Sequence, residues 1–195
     1  KWDMNRSISD WYSGLLPSNR QGEQPHRYVL GLYELLERLT TEFPHILFEG
    51  CSGGGGRFDA GMLYYCPQIW CSDDTDAHER TFIQYGTSFF YPISTVGSHV
   101  SAVPNHQTGR ITSLDTRGIV AMAGSFGYEL DLSTLTEEEK ETMKEQVKKY
   151  REYQLLIHNG DYYRLTNPHN SRIAAWQWND NTNGNVLVQG VVFRA

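Results

Sequence analysis

The sequence contains few cysteines and no metal-binding cysteine pattern. Its 195 residues include three, Cys51, Cys66 and Cys71, an odd number at irregular spacing. Such spacing excludes a disulfide framework, and it matches no zinc-ligand pattern. Unpaired cysteines are typical of a reducing compartment, so we expect a cytoplasmic protein.

Blocks of basic residues and long apolar runs are also missing. The formal net charge is -6 and the isoelectric point is about 5.6. Without a Lys/Arg cluster we expect no nucleic-acid partner. No apolar run has the length of a membrane span, so we expect no membrane partner either. The chain opens on Lys1 rather than Met, and its first residues are typical of a strand end; we therefore expect a segment of a longer protein.

The remaining composition is that of a globular protein, with 39% apolar and 21% charged residues. Apolar residues recur at helical spacing up to Pro44, which predicts a helix, and the short apolar run over 45–50 predicts a strand. This alternation of helices and strands continues to about Ile157. Thr136 and Glu139 form a predicted capping box at the start of the last helix. The alternation predicts a parallel sheet, either doubly wound or part of a (β/α)8 barrel. Three strand-like runs with turn-rich connections follow and predict an antiparallel sheet.

Polar residues concentrate where three predicted strands end, which is where parallel α/β folds place their catalytic groups. Asp3 and Asn5 alternate with Trp2 and Met4 at the first end. Cys51 and the glycines that follow it, here called the glycine loop (residues 51–56), occupy the second. The third carries the acidic stretch SDDTD (residues 72–76).

Two carboxylates across a cleft are what glycosidic bond cleavage requires. Lys1 favours the charged form of Asp3, which suits a nucleophile, and the acidic neighbours of Asp73 favour its protonated form, which suits a general acid. Asn5 is placed to hydrogen-bond the sugar 2-hydroxyl. Simpler interpretations compete: Asp76 is expected to cap the following helix, the glycine loop to be a plain turn, and Cys51 to be a small buried apolar residue.

The motifs taken together resemble the α-galactosidases of glycoside hydrolase family 36. KWDMNR resembles the nucleophile motif, and CSGGGGRFD with YCPQIWCSDDTDAHER resembles the sugar-binding and acid/base segment. VGSHVSAVPNHQTGR and FGYELDLSTLTEEE resemble later barrel segments. The motifs occur in order over nearly the whole chain, which makes the resemblance specific.

This resemblance implies the C-terminal half of a (β/α)8 TIM barrel over residues 1–158, followed by the start of an antiparallel β domain over residues 159–195. It implies a retaining double displacement on α-galactoside oligosaccharides without metal or organic cofactor. Asp3 matches the nucleophile and Asp73 the acid/base. The substrate-binding positions implied by the motifs are Lys1, Asn5, Cys51, Gly54 and Trp70. The family commonly forms homotetramers, so we expect a homo-oligomer.

Two other functions are compatible with the sequence. Raffinose-synthase-type galactosyltransferases share the double displacement but pass the galactosyl unit to a sugar. A non-catalytic carbohydrate-binding segment is compatible with the five Trp and twelve Tyr residues. The family's readers of the axial 4-hydroxyl lie in the first half of the barrel and have no counterpart here, so we expect these residues alone to turn over little substrate.

Overall fold

The structure is a computed structural model that describes residues 1–5 and 8–193. It divides into two compact units, Lys1–Ile69 and Trp70–Ala195. The predicted boundary between residues 158 and 159 lies inside the second unit, and it stays a prediction.

The first unit alternates helices with short parallel strands. Its elements are a 3₁₀ helix Ser18–Glu23, helix α1 Gln24–Glu42, strand β1 Glu49–Gly50, helix α2 Ala60–Tyr65 and strand β2 Gln68–Ile69. Pro25 lies in the first turn of α1, where its missing N–H costs nothing. The helices bury Leu36, Met62 and Cys66 against each other.

The strand predicted over 45–50 is mostly wrong, because only Glu49–Gly50 is extended and paired. The turn after α1 continues past Pro44, with the Ile46 N–H donating to the Phe43 carbonyl. This turn leaves Ile46 48% and Leu47 68% exposed. β1 pairs in parallel with β2, and Trp2 makes an isolated parallel bridge to Gly50 on β1.

The second unit opens with α/β alternation and ends in an antiparallel sheet, as predicted. Its first part contains α3 Ala77–Thr87, β3 Gly97–Ser101, α4 Leu114–Ala121, β4 Ser125–Glu129 and α5 Glu137–Asn159. β3 and β4 pair in parallel, with Gly97 opposite Ser125. The capping box of Thr136 and Glu139 at the start of α5 is confirmed.

The antiparallel sheet consists of β5 Asp161–Arg164, β6 Ile173–Asn179 and β7 Val186–Val192, with β6 in the centre. Alternation along β6 buries Ala174, Trp176 and Trp178 on one face. That face joins one apolar core with Val120 of α4 and Tyr150 of α5. No helix within the described residues is long and apolar enough to cross a membrane.

Candidate active site

Backbone pairing brings Asp3 beside the start of the glycine loop. The Trp2 N–H donates to the Glu49 carbonyl at 2.7 Å, and the Cys51 N–H donates to the Trp2 carbonyl at 3.2 Å. The two segments therefore run in parallel and end together. Asp3 and Cys51 emerge at the same edge, as expected for the carboxyl ends of parallel strands.

The Asp3 carboxylate accepts hydrogen bonds from the residues that follow β1. The Ser52 N–H lies 3.3 Å from Asp3 Oδ1. The Cys51 thiol, which donates to this carboxylate, is the main cause that holds the pKa of Asp3 below its ordinary value of 3.8, and the Ser52 amide, Lys1 and Asn5 act in the same direction. Desolvation of the carboxyl opposes them. The environment favours the ionised form of Asp3, which an aspartate of ordinary pKa already adopts at neutral pH and which a nucleophile needs.

Lys1 favours the ionised form of Asp3, as the sequence predicts. It lowers the pKa of Asp3, and the Cys51 thiol and the Ser52 amide lower it more. The Lys1 ammonium lies 3.7 Å from Glu49 Oε1, with which it forms an ion pair. The predicted contact between Lys1 and galactose hydroxyls stays a prediction.

Cys51 is both buried and polar in its contacts. It is 2% exposed, as the apolar interpretation predicts. Burial is the main cause that raises the pKa of its thiol, and the bond to Asp3 acts in the same direction. The sulfur therefore keeps its proton and can donate it to the carboxylate. The Gly54 backbone N–H opposes this shift and lowers the pKa of the thiol, which places Gly54 beside the sulfur.

Asn5 joins residues 1–5, here called the nucleophile segment because they contain the predicted nucleophile Asp3, to the glycine loop. Its side-chain oxygen accepts a 2.6 Å hydrogen bond from the Gly53 N–H. The side-chain amide NH₂ carries the donor capacity that a sugar hydroxyl would use. The predicted contacts of Asn5, Cys51 and Gly54 with the sugar stay predictions, but the structure brings all three together beside Asp3.

Asp73 follows β2 closely in the chain and belongs to the second unit. It is exposed, and none of the described residues donates a hydrogen bond to its carboxylate. Its neighbours are engaged in a turn: Ser72 Oγ accepts from the Asp74 N–H at 3.1 Å, and Asp74 Oδ1 accepts from the Asp76 N–H at 3.0 Å. Asp73 is therefore the carboxylate of this stretch that is open to a ligand, and its role as proton donor stays a prediction.

Asp76 caps α3, as the sequence predicts. Its side chain accepts from the His78 N–H at 2.9 Å and from the Thr108 hydroxyl at 2.6 Å. Arg110 forms an ion pair with the same carboxylate. The residue is 2% exposed. These contacts make Asp76 a structural residue that fixes the loop carrying Asp73 to the start of α3.

Replacing Asp76 by alanine should reduce the free energy of unfolding by about 2 kcal/mol or more, because a helix cap is lost and the partners of a buried carboxylate are left unpaired. Urea denaturation of full-length protein measures this. The matched control is Asp115→Ala, an exposed aspartate in the first turn of α4, which should cost less than about 1 kcal/mol. Equal losses in the two variants would contradict the structural role of Asp76.

Trp70 is buried rather than presented to solvent. It is 4% exposed. The guanidinium of Arg80 lies 4.2 Å from its ring centroid, and the His99 ring stacks on it with centroids 4.7 Å apart. The predicted contact between Trp70 and the sugar stays a prediction.

Sequence reasoning missed Arg80. This residue is 2% exposed, and its Nη2 donates to the Ser72 carbonyl at 2.9 Å, so it supports the backbone directly before Asp73. An arginine on the buried face of a helix gives no signal in apolar periodicity, because the pattern counts it as polar and exposed. Among the residues that the structure describes, no group of three or more His, Cys, Asp or Glu side chains could hold a metal ion.

The sequence of this chain matches a known protein family. A family model described as Melibiase matches residues 1–160. The chain belongs to the melibiase family. The resemblance seen in the sequence motifs is thereby confirmed.

Curated relatives of this melibiase chain are α-galactosidases. This chain is 61% identical over 176 residues to the bifunctional alpha-galactosidase/sucrose kinase AgaSK of Mediterraneibacter gnavus. The match covers 90% of this chain and 18% of that protein. The chain is 60% identical over 178 residues to alpha-galactosidase AgaA of Geobacillus stearothermophilus, covering 91% of the chain and 24% of that protein. The chain thus spans about a quarter or less of the length of these relatives.

A solved structure gives the same result for the fold. A crystal structure of a variant of GH36 α-galactosidase AgaA from Geobacillus stearothermophilus, in complex with raffinose, superposes with a TM-score of 0.94 at 56% identity. The match covers 97% of this chain and 26% of that one. The α/β elements and the antiparallel sheet are therefore those of a GH36 α-galactosidase.

Proposed function

We propose that this melibiase chain carries both catalytic carboxylates of a retaining α-galactosidase, which hydrolyses terminal α-galactosidic bonds of oligosaccharides such as raffinose and melibiose. The observation that carries the proposal is the environment of Asp3. Its carboxylate stands at the end of a parallel strand segment, and the Cys51 thiol and the Ser52 amide favour its ionised form. An ionised carboxylate that is oriented by such donors is suited to attack an anomeric carbon.

The proposed reaction has two displacements. Asp3 attacks the anomeric carbon while Asp73 protonates the departing glycosidic oxygen, which gives a galactosyl ester of Asp3 and a free aglycone. Asp73 then takes a proton from water as the water attacks the same carbon and releases Asp3. Two inversions restore the α configuration, and no metal or organic cofactor enters either step.

The proposed architecture is the second half of a (β/α)8 barrel over residues 1–158 and the start of an antiparallel β domain over residues 159–195. The parallel pairs β1–β2 and β3–β4, each joined through a helix, support it. The family resemblance supports a homo-oligomeric enzyme, and the three free cysteines support a cytoplasmic one. Crystal structures of AgaA variants with raffinose and stachyose support oligosaccharides as the substrate class.

The 195 residues alone should turn over little substrate, because half of a barrel leaves unpaired strand edges and an incomplete sugar pocket. The measurement is hydrolysis of p-nitrophenyl α-galactoside by this chain and by full-length protein at equal molar concentration. Mixing or coexpressing the chain with the upstream part of the protein should restore activity. Activity of the isolated chain near that of the full-length protein would contradict the proposed half-barrel.

A further inference from the structure

The glycine loop has an unusual backbone conformation, held by one bond of its own, from the Gly56 N–H to the Ser52 carbonyl at 2.9 Å, and by bonds to other segments. Four successive residues have positive φ: Ser52 at 80°, Gly53 at 58°, Gly54 at 73° and Gly55 at 93°. Glycine adopts these angles freely and is therefore also free to leave them. Ser52 is the one non-glycine residue with positive φ among those the structure describes, and a side chain at this angle costs about 1–2 kcal/mol.

Arg57 connects this loop to the nucleophile segment. Its Nη1 donates to the Met4 carbonyl at 2.7 Å and to Ser52 Oγ at 2.8 Å. Met4 directly follows Asp3, and Ser52 supplies the amide that donates to the Asp3 carboxylate. Nη1 of Arg57 therefore bonds Met4, which follows Asp3, and also Ser52, which donates to Asp3. Arg57 and Met4 are 53 positions apart in the sequence.

The rest of the Arg57 guanidinium is poorly satisfied. Its Nε and Nη2 are buried and have no hydrogen-bond partner within the described residues. Leaving charged donors buried and unpaired costs free energy, so stability alone is a weak reason for an arginine at this position. The two bonds of Nη1 are the part of the side chain that repays this cost.

Arg57 makes no hydrogen bond or ion pair with the Asp3 carboxylate among the described residues; its bonds go to the Met4 carbonyl and to Ser52 Oγ. The groups that lower the pKa of Asp3 are the Cys51 thiol first, then the Ser52 amide, Lys1 and Asn5, and desolvation opposes them. Glu49 on β1 pairs with Lys1. The contact geometry therefore gives Arg57 a route to Asp3 through the donors on the glycine loop, because Ser52 both bonds Arg57 and donates to Asp3.

We propose that Arg57 is a positioning residue for the proposed nucleophile: by bridging the Met4 carbonyl and the Ser52 hydroxyl, it holds the glycine loop in the left-handed shape that points the Cys51 thiol and the Ser52 amide at Asp3. The inference rests on the proposed function of Asp3. It assigns the glycine loop a role in holding the carboxylate that attacks, beyond lining the sugar pocket.

The test uses the full-length enzyme and the variants Arg57→Met, Arg57→Lys and Ser52→Ala. Arg57→Met should lower kcat for p-nitrophenyl α-galactoside by about 10- to 100-fold, the range expected when a reacting group is displaced by an ångström or less, with KM changed by less than about threefold. Because the donors that stabilise the Asp3 carboxylate would be displaced, the acidic limb of the kcat/KM profile should move to higher pH. Ser52→Ala, which removes the bridging hydroxyl, should shift both quantities in the same direction by less.

The control and the rescue separate positioning from folding. Arg38→Met changes an exposed arginine of α1 and should leave kcat and the pH profile unchanged. Arg57→Lys keeps the positive charge and one donor nitrogen, so it should recover part of kcat and return the acidic limb towards the wild-type position. Urea unfolding of each variant is measured alongside, and Ser52→Ala carries the test if Arg57→Met does not fold.

Two results would overturn the inference: a folded Arg57→Met enzyme with wild-type kcat and acidic limb, or a loss of stability with the acidic limb in its original place. Failure of the proposed function is distinguished by Asp3→Asn measured in parallel. If that variant retains turnover, the proposed function is wrong whatever Arg57 does.

Discussion

Replacement of Asp3 by asparagine in the full-length enzyme should lower turnover of an aryl α-galactoside by about 10⁴-fold or more, the scale of loss seen when a catalytic nucleophile is removed. The amide is close in shape to the carboxylate and can still accept from the Ser52 N–H, so the local fold should persist. Binding of galactose, measured by calorimetry, should also persist. The loss should therefore appear in kcat rather than in the affinity for sugar.

Two further variants serve as controls for this experiment. Asp10→Asn changes an exposed aspartate of the loop after the nucleophile segment, and it should retain wild-type turnover. Asp3→Gly leaves room for a small anion, so added azide should restore turnover of an activated galactoside and give the β-galactosyl azide. An Asp3→Asn enzyme with more than a few per cent of wild-type activity, or an azide product of α configuration from Asp3→Gly, would show that another group is the nucleophile.

Replacement of Asp73 by alanine should produce a loss that depends on the leaving group. Loss of general acid catalysis should slow raffinose hydrolysis by about 10²- to 10⁴-fold, because the departing sugar oxygen needs a proton. A dinitrophenyl galactoside has a leaving group that departs without a proton, so formation of the galactosyl ester from it should be nearly unaffected. The measurement compares the variant with wild-type enzyme in two assays: the rate of dinitrophenol release in a single turnover, and the rate of raffinose hydrolysis at steady state.

The same variant identifies the step that Asp73 serves. Azide should attack the accumulated ester without needing a base, and it should give α-galactosyl azide, the opposite anomer to that expected for Asp3→Gly. Asp115→Asn serves as the exposed control. Equal losses on raffinose and on the dinitrophenyl galactoside would contradict the acid role.

An assay of the wild-type enzyme with an acceptor sugar distinguishes hydrolysis from galactosyl transfer. Transfer would give a longer oligosaccharide, whereas hydrolysis gives free galactose.

The sequence predicts the elements that depend on local chemistry well. The capping box at Thr136 and the cap at Asp76 are confirmed because a cap is formed by residues a few positions apart. The alternation of buried residues in β6 is likewise local, since one covered face imposes a period of two. The sequence also offers Asp3 as a candidate nucleophile, because it lies at a strand end two residues after Lys1; that role stays a prediction.

The supporting residues of the site could not be predicted in the same way. The bond from Arg57 to the Met4 carbonyl joins segments far apart in the chain and uses a backbone acceptor, so no pattern of residue types reveals it. The packing of Arg80 against Trp70 depends on a helix returning over the chain. The effect of Lys1 on Asp3 is visible in the sequence because the two residues are neighbours, whereas the larger effect of the Cys51 thiol is not, because that residue lies nearly fifty positions away.

The central claim is that Asp3 forms the covalent bond to galactose, and trapping followed by peptide mapping tests it most directly. Full-length enzyme is inactivated with a fluorinated galactosyl reagent that slows breakdown of the ester, and it is then digested with trypsin. Cleavage after Lys1 and Arg6 releases residues 2–6, in which Asp3 is the only acidic side chain. We predict that this peptide gains the mass of one fluorogalactosyl group and that the gain disappears in Asp3→Asn; a label on any other peptide would contradict the assignment.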